Sequence, residues 1–153
     1  MRVRKLGHVA LYAKDVPRMT EFYRDLFDLT VSAQDKTGSI TFLGVDPHAN
    51  HHDIAFVSNR GVAHICFYVD SLSEFREFYA GLKSRNIPVL NCQMVMMGLR
   101  MDFHDPEGNL AEVVWPHGKC GHFPFFHKVD LDTMIDEDIL RIVDKMPLEE
   151  HSS

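Results

Sequence analysis

The sequence has little cysteine and no long hydrophobic run, and both absences narrow the class of protein. There are three cysteines in 153 residues, with no CxxC spacing between them. This usage does not indicate a disulfide framework and is typical of reduced thiols. No apolar run approaches the roughly 18 residues that a membrane span needs. The N-terminus reads directly into a strand and shows no signal peptide. We therefore expect a cytoplasmic protein that does not enter a membrane.

Clusters of positive charge are also missing. Lysine and arginine number 16 against 22 acidic residues, which gives a formal net charge of −6, and the two signs are mixed along the chain. A surface that binds nucleic acid or anionic lipid needs a basic stripe, so the sequence predicts neither partner. What the chain does have is 45% hydrophobic residues, enough for a core, and ten histidines. The histidines favour metal or proton chemistry.

Two stretches of the chain repeat each other at an offset of 56 residues. They are GHVALYAKDVPRMTEFYRDLF and AHICFYVDSLSEFREFYAGLK. Six positions are identical without a gap, and among them His8 falls on His64 and Tyr12 on Tyr68. Internal repeats of this kind indicate two copies of one structural unit.

Hydrophobic periodicity gives each copy the same order of elements, which is strand, amphipathic helix and three strands. The predicted fold is α+β, with two βαβββ modules forming a curved, open mixed sheet around a metal site. The modules span about 5–58 and 62–116 of a single domain, 1–116. A C-terminal tail, 117–153, carries a short helix at Asp136–Lys145. The predicted strands are Lys5–Ala13, Leu29–Gln34, Ser39–Leu43, His52–Ser58, Val62–Asp70, Pro88–Met96, Leu99–His104 and Leu110–Trp115.

The two repeat-related histidines are predicted to lie on the face of the sheet that no helix covers. Side chains alternate between the two faces of a strand. In the first strand His8 therefore takes one face, while Leu11 takes the face that packs under the helix. In the matching strand His64 and Cys66 take the helix-free face, with Cys66 interpreted as a small buried residue. If the two modules wrap around one concave space, His8 and His64 meet inside it.

A carboxylate completes this set. Glu112 lies in the middle of NLAEVVW, where an unpaired buried charge would be very costly unless a cation meets it. Two imidazoles and one carboxylate from three strands form a facial triad, which leaves three adjacent coordination positions and suits Fe(II). His8, His64 and Glu112 are thus candidate metal ligands, although a single histidine in a strand is more often structural.

The double βαβββ order, the histidine at the head of each module and the stretch FHDPEGNLAEVVW resemble the vicinal oxygen chelate superfamily. Its members include glyoxalases, extradiol dioxygenases and fosfomycin-resistance enzymes, and the resemblance covers about residues 5–116. The corresponding positions of that superfamily bind a divalent metal, which carries over to His8, His64 and Glu112. The implied metal is Fe(II), with Mn, Zn or Ni as alternatives.

The segment HDIAFV is similar to a segment of type I extradiol catechol dioxygenases in which a histidine beside the metal acts as acid and base. The corresponding residue is His52, whereas His51 reads as a loop residue. A neutral imidazole with a pKa of about 6.5 suits two-way proton transfer. The alternative is that His52 only lines the site. Strand alternation puts His52 on the face of Ile54.

Two positions depart from the extradiol pattern. Those enzymes usually have a tyrosine shortly before D-P-x-G-N and a histidine roughly ten residues earlier, and these slots hold Asp102 and about Gln93. Many extradiol enzymes also have two pairs of modules, although one-pair forms exist. The departures leave the catechol assignment open or indicate a different substrate. The candidate substrate-binding residues are Tyr12, Tyr68, Arg100 and Asp102.

The resemblance implies an Fe(II)-dependent, ring-cleaving dioxygenase of aromatic compound catabolism that acts on a small aromatic diol and O2. It also implies a homo-oligomer. One alternative is another metal-dependent enzyme of the superfamily, such as a glyoxalase-like lyase or isomerase or a thiol transferase. The other is a non-catalytic protein that sequesters a small ligand, as some resistance proteins of this fold do. The presence of all three ligands argues against the second alternative, because a pure binder needs no triad.

Overall fold

The computed structural model describes residues 2–46, 51–119 and 125–147. The order of elements is βαβββ twice, followed by a further strand and helix. This confirms the predicted α+β class with an open mixed sheet, and the described residues contain three α-helices. None of those helices has the length and apolar character to cross a membrane. The chain divides into two compact units, Gly7–Cys66 and Met1–Leu6 with Phe67–Ser153.

Gly7–Cys66 contains all the histidines of the candidate site, and we call it the histidine unit. In its sheet β1 pairs with β4 in parallel, while β3 pairs with β4 and with β2 antiparallel. A 3₁₀ turn and the first residues of β5 complete the unit. The elements are β1 (Lys5–Tyr12), α1 (Val16–Phe27), β2 (Thr30–Gln34), β3 (Ile40–Gly44), β4 (Ile54–Val57), the turn Arg60–Val62 and β5 (His64–Tyr68).

Helix α1 begins directly after Asp15. The Asp15 side chain accepts a hydrogen bond from the backbone N–H of Arg18 at 3.0 Å, which caps the first turn. The helix packs on Leu43 of β3 and Phe56 of β4. Leu11 of β1 is 40% exposed and is not part of this cluster. The expectation that Leu11 packs under the helix is therefore wrong.

The second unit contains Glu112, and we call it the glutamate unit. Its strands follow the order β8-β7-β6-β9, and each of these pairs is antiparallel. Ser71 caps α2 by accepting from the N–H of Glu74, and Phe75 and Leu82 of that helix are buried in the core. The elements are α2 (Leu72–Ser84), β6 (Asn91–Val95), β7 (Gly98–His104), β8 (Leu110–Trp115), β9 (Phe126–Lys128) and α3 (Asp136–Lys145).

The turn between β7 and β8 is built around one carboxylate. Asp105 accepts hydrogen bonds from the backbone N–H groups of Glu107 and Asn109 and from the Asn109 side chain. These bonds lower the pKa of Asp105. Gly108 has φ +84°, a conformation that favours glycine. The turn fixes the register that brings Asp102 opposite Glu112 across the two strands.

The described residues of the C-terminal tail are part of the glutamate unit. Helix α3 has the predicted bounds and buries Ile139 and Val143 in the core. Arg76 of α2 donates to the carbonyls of Leu131 and Met134 and pairs with Asp136 at 2.6 Å. Strand β9, which extends the sheet beyond β6, was not among the predicted strands. Part of the tail, 120–124 and 148–153, lies outside the described residues.

Candidate metal centre

The structure brings the two repeat-related histidines together. The Nε2 atoms of His8 on β1 and His64 on β5 lie 3.0 Å apart. Two nitrogens that bind one metal ion at about 2.1 Å, at right angles, are separated by about 3.0 Å. His8 is buried and His64 is half-buried. This pair therefore has the spacing of two neighbouring ligands of one ion.

A backbone carbonyl sets the tautomer of His64. Its Nδ1 lies 2.8 Å from the carbonyl oxygen of Val62, which can only accept, so Nδ1 carries the hydrogen. The neutral ring then has its lone pair on Nε2, the atom that faces His8. Histidines that bind a metal through one ring nitrogen usually donate a hydrogen bond from the other nitrogen in this way. The sequence does not predict this contact, because it predicts one continuous strand, Val62–Asp70. The observed strand is shorter: the turn Arg60–Val62 comes first, and β5 begins at His64.

His52 lies against His8, but not on the predicted face of a strand. Strand β4 begins only at Ile54, so alternation does not extend back to His52. Its ring centroid is 4.2 Å from that of His8 and 4.7 Å from that of Phe42. His52 is 2% exposed. Burial, followed by the neighbouring imidazoles of His8, His51 and His64, holds the pKa of His52 well below 6.5. The ring is neutral at pH 7.

Two residues of the histidine unit were not among the predicted site residues. His51 lies with its Nδ1 atom 2.7 Å from the Nδ1 atom of His52. Its only signal in the sequence is the adjacent pair of histidines. Cys66 is fully buried, and its sulfur lies within 4.8 Å of a ring nitrogen of His8. Strand alternation places Cys66 on the face of His64, although it was interpreted only as a small buried residue.

Tyr12 also belongs to this unit. The Arg60 guanidinium carbon lies 4.1 Å from the centre of the Tyr12 ring, an arrangement typical of a cation–π contact. Arg60 begins the 3₁₀ turn that carries the carbonyl of Val62. The contact thus links Tyr12 to the turn that orients His64.

In the glutamate unit, the cation that the buried carboxylate requires is Arg100. Glu112 is 3% exposed, and its Oε1 lies 3.3 Å from Nη1 of Arg100. Arg100 Nη2 lies 3.4 Å from the carboxylate of Asp102. Burial raises the pKa of Glu112 to about 7, against the opposing effect of Arg100 and with a further rise from Asp102. A bound cation would keep this carboxylate ionised.

Asp102 and Gln93 lie in the same network as Arg100 and Glu112. Asp102 is buried on β7, opposite Asn91 of β6 as well as Glu112 of β8. With its amide oxygen toward Arg100, Gln93 accepts from Nη2 at 2.9 Å and Nε at 3.3 Å. Arg100 thus contacts three acceptors, on Glu112, Asp102 and Gln93. Its role in substrate binding stays a prediction.

Tyr68, the last of the predicted site residues, is buried in the glutamate unit. The Lys5 Nζ atom lies 5.3 Å from the centre of its ring.

Residues 5–113 match the family model of the Glyoxalase/Bleomycin resistance protein/Dioxygenase superfamily. The chain belongs to this superfamily. No curated protein matches the sequence. Solved structures share the fold. A catechol 2,3-dioxygenase is 20% identical with a TM-score of 0.65, over 76% of this chain and 41% of its own.

Two further solved structures are similar to this chain. The Mn(II)-bound glyoxalase from Novosphingobium aromaticivorans is 23% identical, with a TM-score of 0.65, over 74% of this chain and 39% of its own. Homoprotocatechuate 2,3-dioxygenase from Brevibacterium fuscum is 18% identical, with a TM-score of 0.64, over 74% of this chain and 37% of its own. The chain thus spans about two-fifths of the length of these relatives. At such identities the likeness concerns the fold.

Proposed function

We propose that this chain is a metal-dependent dioxygenase of the extradiol type, which opens the ring of a small aromatic diol with O2. His8, His64 and Glu112 would hold the metal, for which we propose Fe(II). The similar structures include a catechol 2,3-dioxygenase and a homoprotocatechuate 2,3-dioxygenase in complex with 3,4-dihydroxyphenylacetate. We further propose that the protein works as a cytoplasmic homo-oligomer.

The donor atoms fit such a metal. Two imidazole nitrogens 3.0 Å apart, one of them with its tautomer set by a carbonyl, suit two neighbouring coordination positions. A buried carboxylate with a raised pKa gains most from a nearby cation. When bound, Fe(II) would supply adjacent positions at which an aromatic diolate and O2 can meet.

The single observation that carries the dioxygenase proposal is the buried, neutral imidazole of His52 in contact with His8. A neutral imidazole can accept a proton from a diol hydroxyl group. Because burial disfavours the charged form of His52, the ring would retain that proton weakly and return it to the product. His52 would therefore act first as a base and then as an acid.

The side chains near His52 also suit an aromatic ring. Ala10, Ala55 and Val57 form a buried apolar cluster, against which Phe42 packs. Phe42 contacts the rings of His51 and His52. Small alanine side chains beside aromatic ones offer the flat apolar surface that an aromatic substrate would contact.

A second function is favoured by the network around Glu112. A carboxyl group with a pKa of about 7 is suited to act as a general base at neutral pH. Asp102 and a position near Gln93 depart from the pattern of extradiol enzymes, and a glyoxalase is among the similar structures. The second candidate is therefore a glyoxalase-like lyase or isomerase that uses Mn, Zn or Ni.

Metal analysis and O2 uptake distinguish these functions. The full chain is purified without added metal, analysed by mass spectrometry and then loaded anaerobically with Fe(II). Iron, O2 uptake and a yellow ring-opened product from catechols support the dioxygenase. Manganese, zinc or nickel, with isomerisation of a hemithioacetal and no O2 uptake, supports the second function. A protein without metal, whose affinity for a small ligand is unchanged in a His8→Ala/Glu112→Ala variant, would be a non-catalytic binder.

A further inference from the structure

His51 and His52 are adjacent in the chain but lie in different surroundings. His52 is buried, whereas His51 is half-buried. Their Nδ1 atoms are 2.7 Å apart, and the two rings are nearly perpendicular, at 86°. Between two neutral imidazoles, this distance requires that one Nδ1 carries a hydrogen and donates it to the other. The structure thus gives His52 a partner on its Nδ1 side.

We propose that His51 is a positioning residue for His52, whose ring it holds by Nδ1 so that Nε2 is the nitrogen presented to the substrate. This inference rests on the proposed function in one respect, the role of His52 as acid and base. When His52 donates to His51, the lone pair of His52 is on Nε2, which can accept a proton. Once Nε2 has taken that proton, Nδ1 of His52 still donates to His51, and the hydrogen on Nε2 is the one that returns to the product.

Aromatic packing holds the pair in place. The Phe42 ring lies 5.3 Å from that of His51 and 4.7 Å from that of His52. His51 therefore makes an apolar contact through its ring and a polar contact through Nδ1. A His51→Phe variant keeps an aromatic ring and removes the hydrogen bond. A His51→Asn variant places an amide group close to the position of Nδ1 and can restore it.

The hydrogen bond between His51 and His52 can be tested without measuring enzyme activity. Two-bond ¹H–¹⁵N spectra of the histidine-labelled, metal-free full chain report which ring nitrogen of His52 carries the hydrogen. We expect the His52 nitrogen shifts to change in His51→Phe and to stay close to those of the native chain in His51→Asn. Identical His52 shifts in the native chain and in His51→Phe would overturn the proposal.

Steady-state kinetics then test the role in turnover. With Fe(II) and a catechol, we expect His51→Phe to lower kcat by about 10-fold or more with KM within about 2-fold, as for partners that orient catalytic groups. We expect His51→Asn to recover most of that loss. His127→Phe, at an exposed histidine of β9, is the matched control and should leave both constants unchanged. An unchanged kcat in His51→Phe would overturn the role. A native chain without dioxygenase activity would count against the proposed function, while the spectra would still decide whether His51 fixes His52.

Discussion

Nε2 of His8 and Nε2 of His64 lie 3.0 Å apart, although 56 residues separate the two histidines. The repeat explains why both are histidines at equivalent positions of the two modules. The carbonyl of Val62 explains why the lone pair of His64 is on the nitrogen that faces His8. Two lone pairs at this distance repel each other unless a proton or a cation lies between them. A cation that replaces that proton would meet the lone pairs of both nitrogens.

The first prediction concerns metal affinity. We expect His64→Ala to abolish binding of one equivalent of Fe(II) or Zn(II), because it removes one of two neighbouring nitrogen ligands. Isothermal titration calorimetry on the metal-free chain measures this. His127→Ala, at an exposed histidine, is the control and should bind like the native chain. Native affinity in His64→Ala would contradict the assignment.

The second prediction separates His52 from the ligands. We expect His52→Phe to retain the metal and to slow turnover by about 10²–10⁴-fold, the usual contribution of a general acid–base group. Metal content and kcat are measured on the same preparation. His104→Phe, at an exposed histidine at the end of β7, serves as the control. Normal turnover in His52→Phe would remove His52 from the mechanism.

The third prediction is a pH dependence of stability that depends on Glu112. Its folded-state pKa of about 7 is above the ordinary 4.5, so the folded chain retains a proton that the unfolded chain has lost between these values. The contribution of Glu112 to stability is thus greatest below pH 4.5 and falls as the pH rises to 7. Because glutamine stays neutral, metal-free Glu112→Gln should be more stable than the native chain at pH 8, by about 3 kcal/mol at most.

Urea unfolding of both metal-free chains at pH 4.5 and pH 8 measures the difference. The lowered pKa of His52 makes stability rise as the pH rises to about 6.5. This effect is the same in both chains, so it cancels in the difference between them. Added metal should reverse the order, because it stabilises the native chain more than Glu112→Gln. Equal stability of the metal-free chains at pH 8 would contradict the prediction.

The fourth prediction tests what Arg100 does. Arg100→Met leaves the carboxylates of Glu112 and Asp102 without their shared cation. We expect a loss of about 1–3 kcal/mol in the free energy of unfolding, below the value for a fully buried pair because the Arg100 side chain is 25% exposed. The Arg100→Met/Asp102→Asn double variant should recover part of this loss, since it removes one like charge. Urea unfolding measures all three chains.

Kinetics with two substrates address the predicted role of Arg100 in substrate binding. If Arg100 also contacts an anionic group of the substrate, Arg100→Met should raise KM for a carboxylated diol more than for catechol. If KM rises equally for both substrates, Arg100 does not contact the anionic group, and its role is to pair with Glu112.

The sequence predicts those elements of the fold that depend on local signals. The strand Leu110–Trp115 and the helix Asp136–Lys145 rest on side-chain periodicity within a few residues, and both are confirmed. Strand β9 could not be predicted, because its three exposed residues show no alternating pattern. It is a strand because it pairs with β6, which lies far from it in the sequence.

Contacts that depend on where a strand begins or how two strands pair were harder to predict. His52 packs on His8 because β4 begins at Ile54, so the face expected from alternation is wrong. Arg100 meets Glu112 through the register of β7 on β8, which the turn at Asp105 fixes. The alternation that placed His8 and His64 on one face was correct because both lie within strands.

The most direct test of the metal centre is a crystal structure of the Fe(II)-loaded protein with anomalous data on both sides of the iron edge. We expect one peak at about 2.0–2.3 Å from Nε2 of His8 and Nε2 of His64. Loss of that peak in a Glu112→Gln crystal would support Glu112 as the third ligand. No iron peak at the two histidines, in crystals grown with Fe(II), would contradict the central claim.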